Sequence, residues 1–150
     1  MAHTYTNIMV HYIFSTKNRR RLITTEIQER LWSFMGGIAR DNGITPVIIG
    51  GTSDHIHALV VLPQTLTVAK GIQLMKGGTS KFVNETFSEP TRFQWQSGYG
   101  AFSVSVSGKQ DTIRYIQNQA GHHRKITFQE EFLAILKKHG LEYDERYIWD

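Results

Sequence analysis

The sequence predicts a single α+β domain of the ferredoxin-like, split βαβ type, in which helices pack on an antiparallel sheet. The first observation behind this prediction is the order of elements, β-α-β-β-α-β, read from the hydrophobic periodicity along the chain. The second is composition: 150 residues, of which 40% are hydrophobic, suit one domain with a substantial core. No linker, repeat or low-complexity segment divides the chain, so residues 1–150 are expected to fold together, with additional helices after the fourth strand.

A strand, a helix and a hairpin make up the first half of the pattern. Residues 6–15 are rich in β-branched and aromatic side chains, which favours a strand. Thr25 is the expected N-cap of a helix over 26–40, because the apolar residues that follow it recur at helical spacing. The stretches 44–50 and 55–62 flank a short glycine-containing turn and are therefore predicted to pair as a hairpin.

The second half contains three predicted helices and one further strand. A Gly77-Gly78 pair lies inside the first of these helices, where each glycine costs about 1 kcal/mol relative to alanine. The pair indicates either a break or the close approach of another segment. Asp111 and Thr127 are the expected N-caps of the second and third helices. The predicted helices are 68–87, a helix from 109–111 to about 123, and 128–138; the predicted strand is 101–106.

The strand over 55–62 is predicted to carry different chemistry on its two faces. Alternate residues of a strand project to the same side, so His55 and His57 share one face with Leu59 and Val61. The other face is uniformly apolar and suits a core beneath two helices. The histidine face needs a different cover, and the helix that contains Tyr115 is the candidate.

Composition narrows the function classes. The chain has no cysteine, which excludes disulfides, thiolate zinc sites and a cysteine nucleophile. A formal charge of +4 suits a polyanionic partner without requiring one. We find no apolar run long enough to span a bilayer and no signal-peptide pattern at the N-terminus, so no membrane association is expected and the expected location is the cytoplasm.

Two short motifs predict an active site. His55 and His57 project side by side from a strand, whereas Tyr115 and Gln119 lie within about 40° of each other on a helix. If the helix crosses the strand, the imidazoles and the amide oxygen can hold a divalent metal while the phenol attacks a phosphate. Either motif alone is a weak signal. His11 is predicted to be an ordinary hydrogen-bonded residue rather than a ligand.

Basic and aromatic residues elsewhere are candidates for DNA contacts. The basic cluster at 17–21 suits either a backbone phosphate or a solvated loop, and the aromatics suit either stacking on unpaired bases or internal packing, which we favour. His122 suits a surface that faces DNA, and the alternative is a role as metal ligand in place of Gln119 or in addition to it. The candidates are Lys17, Arg19, Arg20, Arg21, Trp95, Tyr99, His122, Arg124 and Lys125.

Together the motifs resemble those of a known family. His55-Ile56-His57 matches the His-hydrophobic-His motif of the HUH single-strand endonucleases, and Tyr115 and Gln119 follow it in a short chain. The sequence is similar to the single-tyrosine transposases of the IS200/IS605 family over nearly its whole length. The similarity also covers the opening strand and residues 15–20, 95–105 and 143–149.

This resemblance implies a mechanism and partners. His55, His57 and Gln119 would hold Mg²⁺ or Mn²⁺, and Tyr115 would attack a scissile phosphate in single-stranded DNA. A 5′-phosphotyrosine bond would form as a 3′-hydroxyl leaves, and a 3′-hydroxyl would later rejoin the DNA without ATP. The resemblance also implies recognition of hairpins that mark the ends of an element. It further implies a homodimer in which Tyr115 of one chain can serve the histidines of the other.

Other functions fit the same residues. A non-catalytic ferredoxin-like nucleic-acid-binding module would carry the histidines and the tyrosine incidentally. A domesticated relative would bind or nick repeat hairpins without moving an element, a difference that lies in genomic context. A metal-dependent hydrolase that activates water is a weaker option, because it would have no need of Tyr115.

Overall fold

The computed structural model describes residues 3–88 and 90–150, which form a four-stranded antiparallel sheet with helices on both faces. The strand order is β2-β3-β1-β4, and all neighbouring strands are antiparallel. This is the order of a split βαβ fold, so the predicted fold class is confirmed. The strands are β1 (Ile8–Ser15), β2 (Thr45–Gly51), β3 (His55–Leu62) and β4 (Gly100–Val104).

The helices follow the predicted order with small shifts of their ends. Two 3₁₀ turns, Lys17–Arg19 and Val106–Gly108, follow β1 and β4. Because the second turn takes up the end of the predicted strand, β4 ends at Val104. The helices are α1 (Thr25–Asp41), α2 (Val68–Thr86), α3 (Lys109–Gln117), α4 (Gln119–His122) and α5 (Phe128–Lys138).

One face of the sheet is covered by α1 and α2 and contains the main apolar core. Alternate residues of β1 and β3 point to this side, as the period of two requires. Leu31 and Met35 from α1 and Ile72 and Met75 from α2 pack onto them. The strand residues in this core are Val10, Tyr12, Phe14, Ile56, Ala58, Val60 and Leu62.

The glycine pair of α2 marks a close approach and not a break. The helix runs without interruption from Val68 to Thr86. A Cβ atom on Gly78 would lie 2.4 Å from Cδ1 of Ile38 on α1. Gly78 therefore lies where Ile38 of α1 packs onto α2, and a larger residue there would displace the Ile38 side chain, whereas Gly77 has no such neighbour.

Two of the predicted caps are wrong. Thr24, and not Thr25, is the N-cap of α1, since its hydroxyl accepts a hydrogen bond from the Ile27 amide at 3.3 Å. Asp111 lies in the first turn of α3 and pairs with Arg114, while Gly108 is the N-cap. The 3₁₀ turn leads directly into α3, and Ser105 caps that turn instead. Thr127 caps α5 as predicted.

The helix that carries Tyr115 is shorter than predicted. It ends at Gln117, and Asn118, with φ −96° and ψ 16°, separates it from the single turn of α4. Hydrogen bonds from the amides of Asn118 and His122 to residues four positions earlier still cross the junction. Tyr115 and Gln119 therefore keep a helix-like relation although they belong to different segments.

The second face of the sheet is covered by α3 and α5. A Cβ on Gly50 of β2 would lie 2.9 Å from Ile116 Cγ2 of α3, and one on Gly100 of β4 would lie 2.7 Å from Phe132 Cε1 of α5. Glycines thus let both helices approach the sheet closely. Among the described residues, we find no helix with the length and apolar character needed to span a bilayer.

Candidate active site

The strand β3 places His55 and His57 side by side on the second face, as their spacing predicts. Both side chains are fully buried, and their ring centroids lie 5.2 Å apart. The neighbouring strand β1 brings His11 against them, with His11 Nε2 2.8 Å from His57 Nδ1. His11 is therefore a buried, hydrogen-bonded residue, as predicted, and it supports His57 from behind.

The segment α3–α4 brings Tyr115 and Gln119 to the same place. Gln119 Oε1 lies 2.9 Å from His55 Nε2, and the ring of Tyr115 is centred 5.6 Å from that of His57. Ile116 anchors the segment in an apolar cluster with Met9 and Leu59. The structure thus brings together the four side chains of the two sequence motifs.

Glu131 of α5, which the sequence reasoning missed, lies at the centre of the cluster and is 1% exposed. Its Oε1 is 3.0 Å from His57 Nε2, 3.6 Å from His55 Nε2 and 3.1 Å from His123 Nε2. Its Oε2 accepts hydrogen bonds from the Tyr115 hydroxyl and from Gln119 Nε2, the latter at 3.1 Å. One buried carboxylate therefore contacts the nucleophile candidate and every predicted metal ligand.

A sequence signal for Glu131 exists but is indirect. Phe128 and Phe132 form part of the buried face of α5, and Glu131 lies between them at helical spacing. A carboxylate on an apolar stripe is expected to be buried with a partner. The signal does not say which partner, since His57 is 74 residues away.

The hydrogen bonds behind the histidines determine which nitrogen faces the site. Asp54 Oδ1 lies 2.8 Å from His55 Nδ1 and accepts a hydrogen bond from it, so Nε2, 2.9 Å from Gln119 Oε1, is the nitrogen that faces the site. His123 Nδ1 similarly donates to the Ile126 carbonyl at 2.9 Å. Its buried Nε2 lies near Glu131 Oε1 but has no well-directed hydrogen bond.

These groups form a donor set that fits a divalent cation. His55 Nε2, Gln119 Oε1, Glu131 Oε1 and His123 Nε2 converge, and each atom can present a lone pair to a cation bound among them. His55, His57, His123 and Glu131 offer ligand atoms that all lie within 4.8 Å of one another. Asp54 on Nδ1 of His55 is the usual carboxylate support for a metal-binding imidazole, while Nδ1 of His57 is held by the His11 imidazole.

Burial and charge set the protonation of the cluster. Burial lowers the pKa of His57 to about 4, despite the opposing effect of Glu131, so its imidazole is neutral at pH 7. Burial alone would raise the pKa of Glu131, but the neighbouring His123, His57 and Tyr115 side chains outweigh it and hold that pKa well below its usual range. Burial and the nearby Glu131 raise the pKa of Tyr115, so the phenol is protonated at neutral pH.

The predicted basic cluster lies in the loop after β1. Asn18 and Arg19 adopt positive φ angles of 58° and 55°, which are uncommon for residues other than glycine. The guanidinium of Arg19 lies over the ring of Trp149, 5.4 Å from its centroid, and donates to the Trp149 carbonyl at 3.3 Å. Arg19 thus holds the C-terminal segment. Among the described residues, the side chains of Lys17, Arg20 and Arg21 make no comparable cation–π contact or hydrogen bond.

The predicted aromatic candidates differ in their surroundings. Trp95 packs edge-on against Phe14 and Phe93 and donates to Thr79 Oγ1 at 3.1 Å, which matches the packing alternative. Tyr99 is 37% exposed and makes an edge contact with Tyr12. Both line a groove of about 1230 Å³ between α2 and residues 92–99, which also includes Lys17.

The remaining candidates flank the cluster itself. His122 Nε2 lies 3.4 Å from Glu131 Oε2, and 36% of its side chain is exposed. Arg124 and Lys125 follow it in an exposed turn between α4 and α5. Of the three residues, His122 also contacts Tyr115, with ring centroids 5.4 Å apart.

Comparison with known sequences shows similarity to IS200 transposases. A family model described as "Transposase IS200 like" matches residues 4–119. The IS200 transposases of Salmonella typhimurium and of Salmonella typhi are each 26% identical to the chain over 122 residues. Each alignment covers 77% of this chain and 80% of the relative.

Solved structures share the fold. A candidate transposase from Deinococcus radiodurans R1 superposes with a TM-score of 0.64 at 22% identity, over 79% of this chain and 96% of the other. A REP-associated tyrosine transposase bound to a REP hairpin superposes with a TM-score of 0.61 at 16% identity, over 82% of this chain and 73% of the other.

Proposed function

This chain belongs to the IS200-like transposase family, and we propose that it cleaves and rejoins single-stranded DNA in a metal-dependent reaction with Tyr115 as nucleophile. The observation that carries the proposal is the meeting of two distant motifs. Nε2 of His55, of His57 and of Gln119 and the hydroxyl of Tyr115 surround one carboxylate, that of Glu131. A non-catalytic module would not need a buried polar cluster beside a phenol.

His55, His57 and Gln119 would hold Mg²⁺ or Mn²⁺. The bound ion would supply charge stabilisation at the scissile phosphate. The neutral state of His57, which follows from its lowered pKa, leaves a lone pair free for a metal.

Tyr115 would act as the covalent nucleophile. Its oxygen forms a bond to phosphorus while the bond from phosphorus to the 3′ oxygen breaks, so a 5′-phosphotyrosine and a free 3′-hydroxyl result. The phenol proton is directed at Glu131 Oε2, which accepts the hydrogen bond from the hydroxyl. Attack by a 3′-hydroxyl on the phosphotyrosine reverses the step and rejoins the DNA.

We infer that the substrate is single-stranded DNA with a hairpin near the cleaved end. His122, Arg124 and Lys125 flank the cluster, and a groove elsewhere carries Lys17, Trp95 and Tyr99. Cations on a surface suit phosphates, and exposed aromatic rings suit unpaired bases. The hairpin-bound REP-associated transposase of similar fold also favours a second candidate, a domesticated protein that binds or nicks repeat hairpins without moving an element.

Covalent attachment to DNA tests the proposal. The protein is incubated with labelled single-stranded oligonucleotides carrying candidate ends, with Mg²⁺ or Mn²⁺, and adducts are separated on a denaturing gel. We expect an adduct with the wild type and none with Tyr115→Phe, which keeps the ring and deletes the hydroxyl. His57→Ala, or EDTA with the wild type, should lower the yield roughly 100-fold or more, because a metal contributes several kcal/mol to such a step.

DNA binding is the control for this experiment. Tyr115→Phe should retard the oligonucleotide on a native gel as the wild type does. An adduct of normal yield in that variant would falsify the assignment of the nucleophile, and full cleavage in EDTA would exclude the metal mechanism.

We also propose that the protein acts as a homodimer, because excision of an element needs two cleavages and each site has one tyrosine. In the structure described, Tyr115 lies beside the histidines of its own chain. The helices α3 and α5 of that chain together cover the histidine face, so Leu59 there is buried without a second subunit. The junction at Asn118 between α3 and α4 offers a point at which the tyrosine segment could reorient toward a partner.

Complementation tests whether sites are shared in this way. Tyr115→Phe is mixed with His57→Ala under conditions that exchange subunits. If Tyr115 serves the histidines of the other chain, one site in each mixed dimer is intact and adduct formation returns. If each chain completes its own site, the mixture stays inactive after subunit exchange has been verified.

A further inference from the structure

The helix α5 inserts Glu131 into the site from outside the segment that matches the family model, residues 4–119. We propose that Glu131 is itself a ligand of the divalent metal, in addition to His55, His57 and Gln119. This inference rests on the proposed function, because it concerns the same metal site. It assigns α5 a direct part in metal binding.

The spacing of the atoms around Glu131 fits ligands of a single ion. Nitrogen and oxygen ligands bind such ions at about 2.1 Å, so two atoms on the same ion lie roughly 3.0–3.4 Å apart. Glu131 Oε1 lies 3.0 Å from His57 Nε2, 3.1 Å from His123 Nε2 and 3.6 Å from His55 Nε2. The distances to His57 and His123 lie within the range for two ligands of one ion, and the distance to His55 is slightly longer.

Hydrogen bonding alone leaves part of this contact unexplained. His123 Nδ1 is committed to the Ile126 carbonyl, and its buried Nε2 faces Glu131 Oε1 without a well-directed hydrogen bond. His55 Nε2 lies 2.9 Å from Gln119 Oε1, and its Nδ1 lies within hydrogen-bond distance of Asp54 Oδ1 and Thr52 Oγ1. A cation among these atoms can accept a lone pair from each of the nitrogen and oxygen atoms that face it.

Charge points to the same role. His55, His57 and Gln119 are neutral donors, and in a buried site they leave both charges of the ion without compensation. Glu131, with 1% exposure, supplies one negative charge at the point where the charge is needed. Mg²⁺ and Mn²⁺ also favour carboxylate oxygen over imidazole nitrogen, so Glu131 improves the match to these ions.

The packing of α5 holds the carboxylate rigidly. Phe128 and Phe132, on either side of Glu131 along the helix face, pack against each other and against the sheet. At the start of the helix, Thr127 and Glu130 form a reciprocal capping box. A ligand on such a fixed element needs little reorganisation to bind an ion.

Metal binding by the protein without DNA tests the proposal. Mn²⁺ is titrated into wild type, Glu131→Gln and Glu130→Gln, and the free ion is followed by its electron paramagnetic resonance signal. Glu130→Gln is a matched control, because it removes the same charge from the adjacent exposed position and glutamine also serves in a capping box. We expect Glu131→Gln to weaken Mn²⁺ binding roughly tenfold or more, and Glu130→Gln to bind as the wild type does.

A further variant, Glu131→Asp, tests the proposal even if Glu131→Gln does not fold. Glu131→Asp retains the charge but withdraws the carboxylate by one methylene, so its Mn²⁺ affinity should also fall; this variant decides the matter if Glu131→Gln does not fold, as judged by circular dichroism. Wild-type affinity in the folded Gln or Asp variant overturns the proposal. Tighter binding does so too, because it would mean that the carboxylate competes with the ion.

His57→Ala separates this inference from the proposed function. If the wild type binds Mn²⁺, His57→Ala loses it and Glu131→Gln does not, the metal site stands and only the role of Glu131 is rejected. If the wild type binds no Mn²⁺, both the metal mechanism and this inference are rejected.

Discussion

On one face of the sheet α1 and α2 cover apolar side chains, whereas on the other α3 and α5 cover three buried histidines, a glutamine and a carboxylate. Water is excluded from both: Tyr12 and Leu31 are 0% exposed, and so are His55 and His57. The two faces thus share one sheet and a similar degree of burial, but the α1–α2 face contains mainly apolar side chains, whereas the α3–α5 face combines apolar clusters with a buried polar one.

The difference separates stability from chemistry. Apolar area removed from water stabilises the fold by about 25 cal/mol per Å², so the α1–α2 face favours folding without specific partners. Buried polar groups cost free energy unless they are hydrogen-bonded. Each polar side chain of the histidine face therefore needs a hydrogen-bond or metal partner. The first face therefore supplies the stability that allows the second to hold a reactive cluster.

The largest effect that follows from this comparison is on stability alone. Leu31→Ala removes a fully buried side chain from the α1–α2 face and should lower the free energy of unfolding by about 2–5 kcal/mol. Because Leu31 does not contact the histidine cluster, adduct yield per folded molecule should stay near that of the wild type. Urea denaturation gives the first quantity, and the oligonucleotide assay at a temperature where the variant is folded gives the second.

A folded Leu31→Ala protein with a strongly reduced adduct yield would contradict this separation. It would mean that packing on one face sets the geometry of the other through the strands they share. A variant on the exposed side of α1, Glu29→Gln, serves as the control and should change neither quantity.

The apolar face was predictable from sequence because its signals are local. Alternation along β3 and helical spacing along α1 and α2 specify which residues point inward, and the structure confirms the resulting split βαβ order. The errors at Thr25 and Asp111 are also local. Thr24, one residue earlier, caps α1, and a 3₁₀ turn rather than an aspartate N-cap leads into α3.

The histidine face was predictable only in part. His55 and His57 are two residues apart, and Tyr115 and Gln119 are four apart, so each pair could be placed on a common face. Glu131 and His123 join the cluster through the path of the chain after α4, which no short-range period specifies. Sequence spacing thus identified the side chains on single elements but not the group that links them.

A smaller expected effect is that the histidine face makes the free energy of unfolding depend on pH. Burial lowers the pKa values of His11 and His57 to about 3 and about 4, from an ordinary value of 6.5. Between these values and 6.5 the unfolded chain binds protons that the folded chain does not, so the free energy of unfolding falls as the pH is lowered. On the α1–α2 side, burial raises the pKa of Tyr12 to about 12 and lowers the pKa of Lys76 to about 8, so both described groups titrate above this range.

Other groups in the cluster modify this trend without reversing it. Burial alone would lower the pKa of His123, but Glu131 raises it, so the contribution of His123 is complete below 6.5 and is lost as the pH rises through the raised pKa. Asp54 and Glu131 have lowered pKa values and contribute little change above about pH 5, where carboxylates are ionised in both states. As the pH falls, the loss of stability from His11 and His57 therefore exceeds the gain from His123.

The expected result is a loss of about 1 kcal/mol in the free energy of unfolding between pH 7 and pH 6, measured by urea denaturation in the presence of EDTA. Leu31→Ala should start from a lower stability and show the same slope, because its change lies on the other face. Equal stability at the two pH values, or a rise on acidification, would show that His11 and His57 are not held neutral by burial. A steeper slope in Leu31→Ala than in the wild type would show that the apolar face helps to keep protons out of the cluster.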